Sequence, residues 1–210
     1  MYHFGNNIRR VCISVILVAW LLPSALYGQL SAHKNISQLF KVKIPTAIGK
    51  EFPLDSLRQN RANVLLFLSE NCPICQKYTP TIRSLYQEFA EKNIGFFGVF
   101  PSPFIVVDSV KNYMKYYALP FLMLIDSNQT VTRLTKARIT PEAVVISSEG
   151  DILYQGRIDN LFAALGRQRA TATTHELLDV LTALSSDVAI PSFRNNEPIG
   201  CFIELLKSSK

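Results

Sequence analysis

At 210 residues the chain is long enough for one domain and a short extension, and with 48% hydrophobic against 18% charged residues it is not a disordered polymer. Lys and Arg total 22 against 16 Asp and Glu, a net +6, and setting aside Arg9 and Arg10 of the leader leaves +4. That surplus has no Lys/Arg cluster, which argues against a nucleic-acid surface, and four cysteines are too few for a disulfide-built scaffold.

Met1 to Arg10 is short and basic, and Val11 to Leu22 is almost unbroken apolar. The apolar run is about a dozen residues, where a membrane span needs roughly twenty. Pro23 and Ser24 break it and small residues follow, the layout of a secretory signal peptide over 1–28 with cleavage near Gly28/Gln29. The competing reading is an uncleaved anchor that keeps Arg9 and Arg10 in the cytoplasm and tethers the protein to the membrane. Cys12 opens the apolar run instead of closing it, so it is not placed like a lipoprotein cysteine. The expected address is outside the cytoplasm, periplasmic or extracellular.

Residues 29–45 read as a polar lead-in, 46–165 as the main domain and 166–210 as a C-terminal extension of helix and tail. Gly49 to Leu54 is a short extended piece. Val64 to Leu68 is a continuous apolar run, expected of a strand buried on both faces. From Pro73 to Lys92, Ile74, Tyr78, Ile82, Leu85 and Phe89 recur every three or four residues and form one helical face. Asn93-Ile94-Gly95 ends that helix and Phe96 to Phe100 is a second buried strand, giving a strand–helix–strand unit. Asp108 is an expected cap for a helix bearing Val110, Tyr113, Met114 and Tyr117. Phe121 to Ile125 is a strand and Asn128 to Lys136 a short helix. Ala143 to Ile146 and Ile152 to Tyr154 are strands joined by a turn through Ser148-Glu149-Gly150-Asp151. Gly166 to Thr173 reads as a polar connector. Thr173 and Glu176 have capping-box spacing ahead of a helix with Leu177, Leu181 and Leu184.

Cys72-Pro73-Ile74-Cys75 carries the chemistry. It lies between a buried strand and an amphipathic helix, with Cys72 at the N-cap and Pro73 at the first helical position, where a missing N–H costs nothing. The free N–H groups and partial positive charge of a helix start stabilise a thiolate. Cys75 lies almost one turn on. Cys72 is therefore the candidate nucleophile of thiol–disulfide exchange, and Cys75 the thiol that resolves the mixed disulfide. A zinc site is the rival reading of two cysteines so spaced, but it needs a second ligand pair, and only the scattered His33, His175 and Cys201 remain. No metal and no cofactor are expected.

Between Thr46 and Asn160 the chain resembles the thioredoxin superfamily, and within it the TlpA/ResA-like and AhpC/TSA-like redoxins. Four ordered features carry the resemblance. The strand Leu65-Leu66-Phe67-Leu68 runs into the two cysteines, and Pro80 stands eight residues after the first. Thr140-Pro141 precedes the strand Val144-Val145-Ile146, and Glu149 to Ile158 matches the closing hairpin. The resemblance implies an α/β thioredoxin-like fold with a central mixed sheet flanked by helices. It also implies a cis Thr140–Pro141 bond beside the cysteines, with the Thr140 backbone holding an extended partner segment. The implied activity is thiol-disulfide oxidoreduction on protein disulfides or dithiols, fed by an upstream redox partner.

The chain departs from that pattern at four positions. Thioredoxins place a buried Asp six residues before the first cysteine, where this chain has Leu66, and Glu70 is closer to the motif but expected near the surface. The Trp that precedes the first cysteine in thioredoxins is Asn71. Peroxiredoxins place Pro and Thr seven and three residues before the attacking cysteine, where Leu65 and Ser69 stand here. Ser69 can stand in for that Thr but Leu65 cannot stand in for the Pro, so a hydroperoxide reductase centred on Cys72 is the weaker of the readings and is kept as one alternative. A copper-handling redoxin using Cys72, Cys75 and a distal His, similar to the Sco chaperones, is another, although that family spaces its cysteines by three residues. Cys201 is the odd cysteine of the mature chain. In Gly200-Cys201-Phe202-Ile203 it is expected as a packed edge-strand residue; the other readings are a third redox thiol, acting as a relay, and an intermolecular disulfide. His175 is expected to face solvent.

Overall fold

The computed structural model describes residues 34–206. The leader at 1–28, its cleavage point and Cys12 lie outside the described residues. In chain order the strands are β1 (Lys43–Pro45), β2 (Glu51–Pro53), β3 (Ala62–Phe67), β4 (Ile94–Phe100), β5 (Leu122–Ile125), β6 (Ile139–Thr140), β7 (Glu142–Ser147), β8 (Ile152–Gly156), β9 (Phe162–Ala164), β10 (Arg167–Gln168) and β11 (Cys201–Phe202). The helices are α1 (Pro73–Phe89), α2 (Val107–Tyr116), α3 (Thr130–Thr135) and α4 (Glu176–Ser185). The central sheet has the order β5-β4-β3-β7-β8, with β3, β4 and β5 parallel and β7 and β8 antiparallel to their neighbours. This is the thioredoxin-like α/β architecture expected from the sequence.

Strand β3 sits in the middle because all six of its residues are buried. Successive side chains point to opposite faces, so one strand feeds two cores. Val64, Leu66 and Leu68 join Ile82, Phe89, Val110 and Leu181 on one side of the sheet. Leu65 and Phe67 join Leu39, Leu54 and Val131 on the other. Asn63 is the polar member of the strand, and it is satisfied: its amide donates to the Leu57 carbonyl at 2.8 Å and accepts from Asn60 at 2.7 Å.

Helix α1 begins at Pro73, directly after Cys72, as its spacing predicts. Pro80 lies inside it and cannot donate to the Gln76 carbonyl. The Thr79 hydroxyl donates to that carbonyl at 2.8 Å instead, so the helix continues.

Several local expectations are corrected. Residues 34–45 do not form a separate lead-in: Ile36, Leu39, Phe40 and Ile44 are buried in the second core, and Lys34 onward belongs to one compact unit with the extension beyond residue 165. Asp108 lies in the first turn of α2, whose cap position is Val106. The Thr173/Glu176 capping box does not form, because α4 starts at Glu176, whose carboxylate takes better partners in Arg157 Nε at 3.0 Å and the Thr174 hydroxyl at 2.7 Å. The connector at 166–173 contains β10, which turns back onto β9 through Gly166 at φ +71°.

Candidate active site

The end of β3 delivers the chain to the thiols. Leu68 N–H still donates to the Val99 carbonyl, Cys72 N–H closes a turn onto Ser69, and Gln76 N–H makes the first helical hydrogen bond by donating to the Cys72 carbonyl at 3.1 Å. Cys72 has extended backbone (φ −85°, ψ 115°) at the N-cap, so its sulfur faces the open N–H groups of α1. Both Cys72 and Cys75 are buried, at 1% and 0% exposure. Cys72, Cys75 and Cys201 are free thiols.

Opposite the helix start, β6 brings in Thr140, whose carbonyl lies 3.3 Å from Cys72 Sγ. The Thr140–Pro141 bond is cis, as the resemblance implies. The buried Glu142 holds this loop in place: its Oε2 accepts from the Arg138 and Ile139 N–H groups at 2.8 and 3.2 Å, and its Oε1 from Gln155 at 2.8 Å.

The edge of β6 is not open. The tail strand β11 pairs with it in antiparallel register, Cys201 with Thr140 and Phe202 with Ile139. Ile203 N–H donates to the Arg138 carbonyl at 2.8 Å. This places Cys201 Sγ 2.7 Å from Cys72 Sγ, although 129 residues separate them. Cys201 is therefore not simply packed in an apolar edge. It is partly exposed and faces the N-cap thiol. Gly200 makes the approach possible, since a Cβ there would run into the Thr140 carbonyl. A cleft of about 180 Å³ opens beside the pair, lined by Leu68, Ser69, Phe100, Phe104, Thr140 and Cys201.

The three thiols differ electrostatically. The Cys75 S–H donates to Cys72 and, against the opposing effect of burial, the Cys201 S–H and the N–H groups of Cys75 and Ile74 add to it, so Cys72 is lowered to about 5. Burial first, then its donation to Cys72, pushes Cys75 well above an ordinary thiol. Burial and the same kind of donation raise Cys201 to about 11. One thiolate is thus held between two protonated thiols.

The proton acceptor of thioredoxins has no counterpart at Leu66, which is buried in the apolar cluster around Cys72 and Cys75. Glu70 is half-buried and accepts from Asn71. Among the tyrosines buried in that cluster, Tyr113, read from the sequence only as a helix-face residue, stands out. Its hydroxyl has no hydrogen-bond partner, and burial, with the nearby Cys75 a further cause, raises its pKa. Its burial follows from the helical period, but its approach to the thiols follows from packing. His175 is exposed at the start of α4 and borders a different depression, with Ile158 and Leu178. Among the described residues no group of three His, Cys, Asp or Glu side chains is placed to hold a metal ion.

A family model described as the AhpC/TSA family matches residues 37–155. Among solved structures, an uncharacterized conserved protein from Geobacillus kaustophilus is similar at TM-score 0.70 and 20% identity, over 80% of this chain and 89% of that one. A secreted Mycobacterium tuberculosis disulfide oxidoreductase homologous to E. coli DsbE is similar at TM-score 0.52 and 18% identity, over 72% and 98%. DsbF of the same organism is similar at TM-score 0.54 and 22% identity, over 70% and 97%. A search of curated proteins finds no match.

Proposed function

The chain belongs to the AhpC/TSA family, and from that premise we propose that it is an exported thiol-disulfide oxidoreductase acting on protein disulfides through Cys72 and Cys75. The observation that carries this reading is the geometry at the start of α1, with Cys72 at the N-cap and the buried Cys75 almost one turn on, which lowers Cys72 to about 5 and keeps Cys75 protonated. Cys72 attacks one sulfur of a partner disulfide, forms a mixed disulfide and expels the other partner sulfur as thiolate. Cys75 then gives its proton to that leaving thiolate and attacks Cys72 Sγ. The second partner sulfur departs, and a Cys72–Cys75 disulfide remains. Run backward, the same steps oxidise a partner dithiol. Thr140 and Pro141 position the partner backbone beside Cys72. An upstream redox partner restores the pair. No cofactor enters these steps. The basic start and short apolar run of the leader support export to the periplasm or beyond, with a membrane tether only where the leader stays uncleaved.

Insulin reduction in the presence of dithiothreitol tests the activity. Wild type is expected to accelerate precipitation of the insulin B chain, and Cys72→Ser to be inert. Hydroperoxide consumption without insulin reduction, or activity of Cys72→Ser equal to wild type, would overturn the reading. A redox titration of the Cys72–Cys75 pair sets the direction of electron flow.

A further inference from the structure

We propose that Cys201 is a second, intramolecular disulfide partner of Cys72, carried on a tail strand seated where a substrate chain would dock. This rests on Cys72 being the reactive thiol. The register is that of a bound peptide: β11 adds to the edge of β6, and its Cys201 stands opposite Thr140 with its sulfur at 2.7 Å from Cys72 Sγ. A disulfide needs about 2.05 Å, so closure requires a side-chain adjustment and no rearrangement of the fold.

The tail is held by a built seat. Gln129 is fully buried, and its side-chain amide donates to the Glu204 carbonyl at 2.6 Å and accepts from the Leu206 N–H at 2.7 Å. Arg133 donates to the Leu206 carbonyl at 2.7 Å. A buried amide spent on both polar groups of the tail backbone fixes the tail in register after Cys201. The ladder itself is only two residues long, and Phe202 is 82% exposed, so local opening at Cys201 breaks few contacts while the seat beyond it holds.

The exchange balances without an outside oxidant. In the oxidised protein, Cys201 attacks Cys72 Sγ, the Cys72–Cys201 bond forms, the Cys72–Cys75 bond breaks, and the Cys201 proton passes to Cys75. When Cys72 is joined to a partner, the same attack expels the partner sulfur as a thiol. Cys75 and Cys201 therefore compete to resolve one mixed disulfide, from inside the helix and from the tail. Capture of partners then needs both thiols removed, because Cys75→Ser alone leaves a resolving thiol in place.

Reduced Cys75→Ser and Cys75→Ser/Cys201→Ser proteins, treated with oxidised glutathione, acid-quenched and peptide-mapped, test this. The single variant is expected to lose its Cys72–glutathione adduct to an internal Cys72–Cys201 disulfide. In the double variant the adduct is expected to live at least about tenfold longer, because a tethered thiol acts at high effective concentration. Equal adduct lifetimes, with Cys201 of the single variant still open to alkylation, would overturn the role of Cys201 and leave Cys72 as the nucleophile. Failure of Cys72 to form the adduct in either protein would overturn the reading of Cys72 itself, and the tail partner with it. If the variants do not fold, partly oxidised wild type decides: a Cys72–Cys201 peptide beside the Cys72–Cys75 peptide supports the proposal, and its absence at every thiol-to-disulfide ratio sinks it.

Discussion

Replacing Cys75 by Ala removes the S–H that does most to hold Cys72 as a thiolate, so the perturbation reads directly on the titration of Cys72. In wild type, at about pH 5.5, a thiol with a pKa of about 5 is roughly three-quarters ionised, against about 0.1% for an ordinary cysteine near 8.5. This advantage of roughly 800-fold in thiolate is cut about 40-fold, because nucleophilicity falls with pKa along a slope of about 0.45. Net alkylation is then roughly 20-fold faster than for an ordinary thiol at about pH 5.5, and about equal near pH 7. The rate at neutral pH is therefore a poor test and the midpoint a good one. Restricted reagent access to Cys72 under the tail scales the whole curve, whereas the effect of burial on its ionisation is already contained in the value of about 5. A hydrogen bond to a charged acceptor is worth about 1.5–3 kcal/mol, at about 1.4 kcal/mol per pH unit, so Cys75→Ala is expected to raise the midpoint from about 5 to between about 6 and about 7. The assay is iodoacetamide labelling of the reduced proteins from about pH 4 to pH 9, with the Cys72 peptide quantified by mass spectrometry. A wild-type midpoint near 8.5, or one that Cys75→Ala leaves in place, refutes the reasoning.

Gly200→Ala sets a Cβ against the Thr140 carbonyl and Ile139, so the tail must lift. A loss of ~1.4 kcal/mol in docking raises the plateau of Cys72 labelling about tenfold with helicity unchanged, and an unchanged plateau shows that the tail does not cover the thiol. Arg157→Ala strands the buried Glu176, whose side chain is 5% exposed, and is expected to cost about 3–5 kcal/mol in urea unfolding near pH 7. Burial pushes Glu176 up, but Arg157 and Thr174 outweigh it and hold it below 4.5; the pair's contribution is thus complete above that value and lost as pH falls through the folded one, so wild type and variant should converge in acid. Tyr113→Phe removes a buried hydroxyl without a hydrogen-bond partner and is expected to leave the urea midpoint unchanged or raise stability by up to about 1 kcal/mol; a clear loss would mean that the hydroxyl supports the thiol cluster.

The N-cap cysteine, the helix behind it and the buried strand before it were legible in the sequence because their causes are local. Apolar runs, a 3.6-residue period and a proline at the first helical position act over a few neighbours. The central strands and α1 fall where those patterns put them. The cis bond at Pro141 was legible only through likeness to a family, since nothing local to Thr140-Pro141 favours it. Local patterns failed where a distant group offered a better partner. Thr173 lost Glu176 to Arg157, and the polar-looking segment at 34–45 was drawn into the second core by Ile36, Leu39, Phe40 and Ile44. Strand β11 has two residues, too few for any period, and a glycine followed by a cysteine reads the same in a packed edge as in a redox site. What makes Cys201 part of the site is its partners, the Thr140 edge, the buried Gln129 and Cys72 itself, all far away along the chain. Contacts across 129 residues leave no trace in composition or spacing, because their energy resides in surfaces that exist only once the sheet and α1 have formed.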